Sequence, residues 1–186
     1  MSILSKLAEI AENEEKVYQA GYDAGYKEGG AGSGNENFIK ALNGEAVDEL
    51  VIPEGLTQIH AELFSETQIG KLVIPSSIKT IGDRAFYRSG IYELVFAEDS
   101  QLTTIGAYAF WGSYNITHLR LPDKITHIGA QAFYPNMTEI EICRTVEFGS
   151  DIQFIDSWAF YGSTGSKFDF SKAKSIPKIS SEGIDP

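Results

Sequence analysis

Cysteine, histidine and basic residues are scarce in this chain. The single cysteine, Cys143, cannot form an intrachain disulfide, so no disulfide framework supports the fold, which suits synthesis inside a cell. The 15 Lys and Arg residues are outnumbered by 26 Asp and Glu residues, which gives a formal net charge of −11. This balance argues against nucleic-acid binding and against an anionic membrane surface as a target, because both require a basic face.

Long apolar runs are also absent. The apolar residues occupy only a few consecutive positions at a time, too few for a helix that crosses a bilayer. The opening, MSILSKLAEIAENEEK, does not resemble a secretory signal, because its apolar residues are spaced out and acidic residues follow them. We therefore expect no membrane insertion and no secretion signal.

Catalytic and metal-binding motifs are the third absence. His60, His118 and His127 lack the spacing of metal ligands, and Cys143 has no predicted partner. The sequence contains no phosphate-binding glycine loop and no nucleophile elbow. We expect a protein that is not an enzyme and uses no cofactor, and we predict no catalytic, cofactor-binding or metal-binding residue.

One short motif is present in five copies. Three strong copies read IGDRAF, IGAYAF and IGAQAF from residues 81, 105 and 128, and weaker copies read IHAELF and IDSWAF from residues 59 and 155. Each copy is followed by a run of alternating apolar residues, and a half-unit, ELVIP, precedes the first copy. The first apolar positions of these runs lie 22, 22, 25, 21 and 28 residues apart, at Leu50, Leu72, Leu94, Leu119, Ile140 and Phe168.

A period of this length, with one short strand per unit, predicts a leucine-rich repeat solenoid. The predicted fold is β-rich, with short parallel strands and short helical turns, and an N-terminal α-helix precedes it. Alternation directs Leu72 and Ile74 inward, and likewise Ile140 and Ile142 in the run at 139–143. The motif phenylalanines should stack as an internal ladder, with Phe110→Ala much more destabilising than Phe64→Ala near the end. The ladder is Phe64, Phe86, Phe110, Phe133 and Phe160.

Three segments follow from these patterns. Residues 1–29 have apolar positions at helical spacing and form an amphipathic helix that either docks on the repeats or mediates self-association through a short coiled coil. Residues 30–37 are rich in Gly and Ser and are predicted to be a flexible linker, and residues 38–186 form the repeat domain. The candidate oligomerisation residues are Ile3, Leu7, Ile10, Val17, Tyr18 and Tyr22.

Three columns of side chains should face outward from the stacked units. The first alternates in charge and indicates a surface whose charges satisfy one another: Glu49, Lys71, Glu93, His118, Glu139 and Lys167. The second is apolar and then charged, and its valines mark either a contact surface or strand propensity: Val51, Val73, Val95, Arg120, Glu141 and Asp169. The third either stacks on sugars or a partner protein or shields the phenylalanine ladder: Ser65, Tyr87, Trp111, Tyr134 and Tyr161. The candidate contact surface comprises Val51, Val73, Val95, Arg120, Tyr87, Trp111, Tyr134 and Tyr161.

The units between residues 49 and 170, L-x-I-P followed by I-x-x-I-G-x-x-A-F, resemble BspA-type leucine-rich repeats. The opening, LAEIAENEEKVYQAGYDAGYKEG, is similar to the N-terminal segment of such proteins encoded by phages and prophages of Firmicutes. The resemblance implies a structural or binding module of a virion, tail-associated or on the surface, that binds protein or cell-surface glycan in host attachment. Its implied location is the virion, or the bacterial cytoplasm before assembly. A bacterial cell-surface adhesin is the alternative, and the missing secretion signal favours the phage reading. A homo-oligomer formed through the N-terminal helix is the further partner considered.

Overall fold

The computed structural model describes residues 33–113, 116, 118–134, 145–162 and 166–184. The helix predicted for residues 1–29 lies outside these ranges, and its association remains a prediction. The same holds for all six candidate oligomerisation residues, Ile3, Leu7, Ile10, Val17, Tyr18 and Tyr22.

Within the described ranges, one helix precedes twelve short strands. The helix is α1 (Ser33–Leu42). The strands are β1 (Val47–Val51), β2 (Gln58–Ile59), β3 (Ile69–Ile74), β4 (Thr80–Ile81), β5 (Glu93–Phe96), β6 (Thr104–Ile105), β7 (His118–Arg120), β8 (His127–Ile128), β9 (Thr145–Glu147), β10 (Phe154–Ile155), β11 (Lys167–Asp169) and β12 (Lys178–Ile179).

The strands form three parallel sheets, in which neighbouring strands come from successive repeats. The order is β1-β3-β5 in the first sheet and β7-β9-β11 in the second, and the six two-residue strands from β2 to β12 form the third. Equivalent residues pair in register: Leu50 with Leu72, Leu72 with Leu94, and Ile81 with Ile105. Each turn of the chain therefore stacks on the previous one, which confirms the predicted leucine-rich repeat solenoid.

The isoleucine that begins each motif lies in the third sheet, which the sequence analysis did not anticipate. Its strands contain only two residues, so no alternating pattern marks them, although Thr-Ile pairs favour extended backbone. The following glycine permits close stacking: a Cβ at Gly129 would lie 2.6 Å from the backbone nitrogen of Ala107 in the previous repeat. The glycine is therefore required by the close approach of two backbones.

The rest of the motif forms consecutive hydrogen-bonded turns in place of the expected short helical turns. The second residue after the glycine has a left-handed backbone in each copy, with φ between 55° and 62°. Amides in one turn donate along the stack, as from Arg84 N to Ala107 O (2.8 Å) and from Phe86 N to Ala109 O (2.9 Å). A helix would direct these amides within its own turn, so the inter-turn bonds replace it. The left-handed positions are Glu62, Arg84, Tyr108, Gln131, Trp158 and Glu182.

The phenylalanine ladder runs through the whole stack, as predicted. Successive ring centroids lie 5.4, 5.3, 5.1 and 5.2 Å apart, and the planes of adjacent rings differ by at most 11°. Phe110, in the middle, is fully buried. The centre of the core is therefore a continuous stack of aromatic rings, and the leucine and isoleucine columns flank it.

Helix α1 covers the first end of this core. Its apolar face buries Phe38, Ala41 and Leu42, and the Phe38 ring meets the Phe64 ring edge-on at 5.9 Å. The helix begins at Ser33, so residues 33–37 of the predicted flexible linker are helical. Because α1 leaves Phe64 fully buried, the expectation of a mild Phe64→Ala effect near an open end no longer holds.

The sheet position that was predicted for residues 139–143 is occupied by β9. In register, Leu119 of β7 pairs with Val146 of β9, which pairs with Phe168 of β11. Val146 and Phe148 are buried and take the inward places that we had predicted for Ile140 and Ile142. The segment that was predicted as this strand, residues 139–143, lies outside the described residues.

The sheet position was assigned to the wrong residues because two neighbouring segments show the same alternation of polar and apolar residues. The sequences EIEI and TVEF both alternate in the same sense, so periodicity alone does not choose between them. Gly149 does distinguish them, because a Cβ there would lie 2.3 Å from the Pro122 carbonyl oxygen. The chain therefore needs glycine immediately after Phe148, because its backbone lies directly against Pro122 and Asp123 of the previous repeat.

Candidate functional site

The first outward column is a network of ion pairs. Lys71 Nζ lies 3.3 Å from a Glu49 carboxylate oxygen and 3.5 Å from one of Glu93. The hydrogen bond that Lys71 donates to Glu49, together with the charge of Glu93, raises the pKa of Lys71 above its usual value. In the second sheet the column continues as His118, Thr145 and Lys167, with Thr145 in the place predicted for Glu139. In the first sheet, the charges of this column are therefore balanced by neighbouring side chains of the same column.

The second outward column does not form one surface. Val51, Val73 and Val95 pair in register on the first sheet, but only Val95 is exposed, at 36%. Arg120 lies in the second sheet, where its register neighbour is Glu147 in the place predicted for Glu141. β5 and β7 belong to different sheets, so the valines and Arg120 are not members of a continuous ladder.

The third column is continuous over four repeats. Ring centroids lie 4.8 Å apart between Tyr87 and Trp111, 5.9 Å between Trp111 and Tyr134, and 5.2 Å between Tyr134 and Tyr161. All four side chains are partly buried, and burial, with the neighbouring Tyr161, raises the pKa of Tyr134. Of the predicted contact residues, these four are brought together, and we call them the aromatic column.

The stacking of the aromatic column limits what it can bind. The Trp111 ring has Tyr87 on one side and Tyr134 on the other, and Tyr134 in turn has Trp111 and Tyr161. Sugar recognition by an aromatic ring uses the ring face, and the faces of these two inner rings are already occupied. Their edges remain available to solvent.

Two arginines that were not predicted from the sequence lie over aromatic rings, Arg88 over two rings of the aromatic column and Arg84 over the ring of Tyr108. The guanidinium of Arg88 lies 5.3 Å from the Tyr87 ring centroid and 5.2 Å from that of Trp111, while Arg84 lies 5.3 Å from the Tyr108 ring. Arg84 and Arg88 also pair with Glu62 and Glu66 of the previous repeat. Their fixed distances from the motif, three and seven residues after Ile81, are the signal that could have revealed them.

A groove opens beside the other end of the aromatic column. It has a volume of about 470 Å³ and is lined by Gln131, Tyr134, Trp158, Tyr161 and Glu182. The Trp158 ring stands at 69° to the Tyr161 ring with centroids 6.5 Å apart, and the Trp158 side chain is 41% exposed. Trp158 Nε1 donates a hydrogen bond to Glu182 Oε2. The groove therefore joins three aromatic rings, an amide and a carboxylate.

No three His, Cys, Asp or Glu side chains in the part of the chain that the structure describes are grouped as metal ligands would be. No helix within the same ranges combines the length and the apolar character of a membrane span.

The repeat sequence now has its structural counterpart, an in-register stack in which five successive turns each contribute a phenylalanine to one ladder. The model of the BspA type leucine-rich repeat region matches residues 40–167 in six copies, which is more than half of the chain. This chain belongs to the BspA-type leucine-rich repeat family. No curated protein matches its sequence.

The BspA-type stack continues beyond the matched residues. Residues 179–184, with the sequence ISSEGI, adopt the backbone geometry of the motif. Glu182 has the left-handed conformation, and Phe160 N donates a hydrogen bond of 3.2 Å to Gly183 O. This copy is not recognisable in the sequence beside the other five, because Ser180 and Ile184 replace the characteristic glycine and phenylalanine. Glu182 therefore belongs to a sixth turn.

Proposed function

We propose that this BspA-type repeat protein is a non-enzymatic module that binds a protein partner through its aromatic column and the flanking arginines. We propose further that it works in a phage or prophage virion, tail-associated or at the surface, in host attachment. Its location would then be the virion, or the bacterial cytoplasm before assembly.

The observation that supports this function most directly is the aromatic column with Arg88 against it. Leucine-rich repeat solenoids provide extended binding surfaces, and tyrosine, tryptophan and arginine are the residues enriched in the energetic centres of protein interfaces. Here they are concentrated on one side of an otherwise acidic chain. The occupied faces of the inner rings favour a protein partner over a cell-surface glycan.

The test is a binding measurement with matched variants. The intact chain is titrated against purified virion proteins of the particles that carry it and against Gram-positive cell-wall glycans. We expect a virion protein to bind, and Arg88→Ala to weaken that binding by about tenfold, since an arginine in an interface centre contributes more than about 1 kcal/mol. Lys71→Ala, which removes a cation from the sheet face, serves as the control and should change affinity less than twofold.

Three results would count against this proposal. If no virion protein binds, or if Lys71→Ala and Arg88→Ala have equal effects, the aromatic column is not the binding surface. If antibodies place the protein on bacterial cells and not on particles, the alternative of a cell-surface adhesin built from the same repeats replaces the virion assignment.

We also propose that residues 1–29 form a homo-oligomer. The expected result is a higher molar mass in light scattering for the intact chain than for a chain lacking residues 1–30. The deletion ends before Ser33, so it retains α1 and the end cap of the core. If the intact chain and the shortened chain are both monomers, the proposal is contradicted and docking of the helix on the repeats is favoured.

A further inference from the structure

The first turns of the solenoid supply cations to their own aromatic rings. Arg84 lies over the Tyr108 ring, and Arg88 lies over the rings of Tyr87 and Trp111, at 5.2–5.3 Å. A cation within about 6 Å of a ring centroid is attracted by the negative charge of the ring face. Two guanidinium groups of the protein itself therefore already form cation–π contacts on this side of the stack.

The later turns have the rings but lack the arginines. The positions equivalent to Arg84 are occupied by Gln131 and Trp158, and Gly162 occupies the position equivalent to Arg88. Among the described residues, no Lys or Arg side chain lies within cation–π distance of Trp158 or Tyr161. The groove at this end therefore has aromatic walls without the internal cation that the first turns provide.

The groove also contains a negative charge. Glu182 is exposed and accepts one hydrogen bond from the Trp158 indole. A carboxylate has two oxygens and about four acceptor sites, so this bond leaves capacity for a further donor. A volume of about 470 Å³ accommodates a long side chain, and the net charge of −11 attracts cations to the whole molecule.

We propose that the groove of Gln131, Tyr134, Trp158, Tyr161 and Glu182 binds an arginine side chain from a basic segment of a partner protein. A planar guanidinium stacks on an indole and forms bonds with a carboxylate at the same time, whereas a lysine ammonium offers only a point charge. The proposal rests on the protein-binding function above and specifies the chemistry of the partner.

The experiment uses an octa-arginine peptide as the probe and the full chain as the receptor. Binding is followed by the anisotropy of a fluorophore on the peptide and by the indole N–H signal of Trp158 in NMR spectra. Octa-citrulline, which is neutral and nearly isosteric, tests the need for charge, and octa-lysine and choline test the preference for a guanidinium. We expect octa-arginine to bind most tightly and to shift the Trp158 signal.

Two charge-matched variants decide whether the groove is responsible. Glu182→Gln and Glu62→Gln each remove one carboxylate from an exposed left-handed position of the stack, at opposite ends. We expect Glu182→Gln to weaken octa-arginine binding by about fivefold and Glu62→Gln by less than twofold. Melting temperatures of both variants verify that the fold is retained.

The outcomes separate this inference from the proposed function. Equal losses in the two variants, equal binding of octa-citrulline, or an unmoved Trp158 signal would refute the groove as an arginine site. If a virion protein binds the intact chain and Glu182→Gln leaves that affinity unchanged, the arginine site is refuted while the binding module stands. If the peptide binds in the groove but no virion protein binds, the groove stands and the proposed function fails.

Discussion

Replacement of Phe110 by alanine is expected to lower the free energy of unfolding by about 3–5 kcal/mol. The ring is fully buried and stacks on Phe86 at 5.3 Å and on Phe133 at 5.1 Å. Its removal exposes the faces of two other rings to a cavity, so the loss includes the contacts on both sides as well as the transfer of the ring itself.

Equilibrium denaturation in urea measures this difference. Phe154→Ala is the matched control, because the same substitution there removes a ring that is 43% exposed on the outer face of β10, and we expect a loss below about 1 kcal/mol. Similar losses for Phe110→Ala and Phe154→Ala would be incompatible with a ladder of buried rings. Phe64→Ala should now resemble Phe110→Ala, since α1 buries Phe64 as completely.

Replacement of Phe148 by alanine is expected to cost about as much, again about 3–5 kcal/mol. The Phe148 ring is buried, stacks on Phe170 at 4.2 Å, and meets the edge of Phe160 at 5.7 Å. It closes the core beneath the last turns and holds β9 between β7 and β11. The substitution therefore tests whether residues 145–149 are the repeat strand.

The control for Phe148→Ala is its exposed neighbour, Glu147→Ala, measured in the same denaturation experiment. We expect a change below about 0.5 kcal/mol, because surface substitutions outside special sites have small effects. A small loss for Phe148→Ala, comparable with that for Glu147→Ala, would exclude β9 from the core and reopen the assignment of this repeat.

The sequence sufficed for the architecture wherever a residue type recurs at a fixed interval. The phenylalanine ladder and the Glu49–Lys71–Glu93 ion pairs were predicted because translation along a solenoid converts a repeat in sequence into neighbours in space. The aromatic column was found in the same way, since Tyr87, Trp111, Tyr134 and Tyr161 all follow the motif phenylalanine.

The sequence did not predict the structure at positions where different residue types adopt the same backbone conformation. Arg84, Tyr108, Gln131 and Trp158 all adopt a left-handed conformation that costs about 1–2 kcal/mol for a non-glycine residue, so residue type gives no warning of it. Hydrogen bonds between turns offset this cost, and those bonds exist only in the assembled stack. The two-residue strands of the third sheet escaped notice because they are too short to alternate.

The groove could not be predicted from the sequence for a related reason. Its carboxylate comes from the sixth turn, where the sequence ISSEGI lacks both the glycine and the phenylalanine that identify the motif. Only the position of Glu182 next to Trp158 in the stack reveals that the two belong to one site. The position of β9 was missed for the same reason, because Gly149 is explained only by a contact with Pro122 of another repeat.

Disulfide formation between paired cysteines tests the in-register stack most directly. In a Cys143→Ser background, Arg120→Cys with Glu147→Cys places two thiols on adjacent parallel strands, about 4.8 Å apart between Cα atoms and within the reach of a disulfide. Arg120→Cys with Asp169→Cys places them two repeats apart, at about 10 Å. The account predicts rapid oxidation of the first pair and little of the second, as measured by loss of free thiols. Equal oxidation of both pairs, or oxidation of the second pair alone, would contradict it.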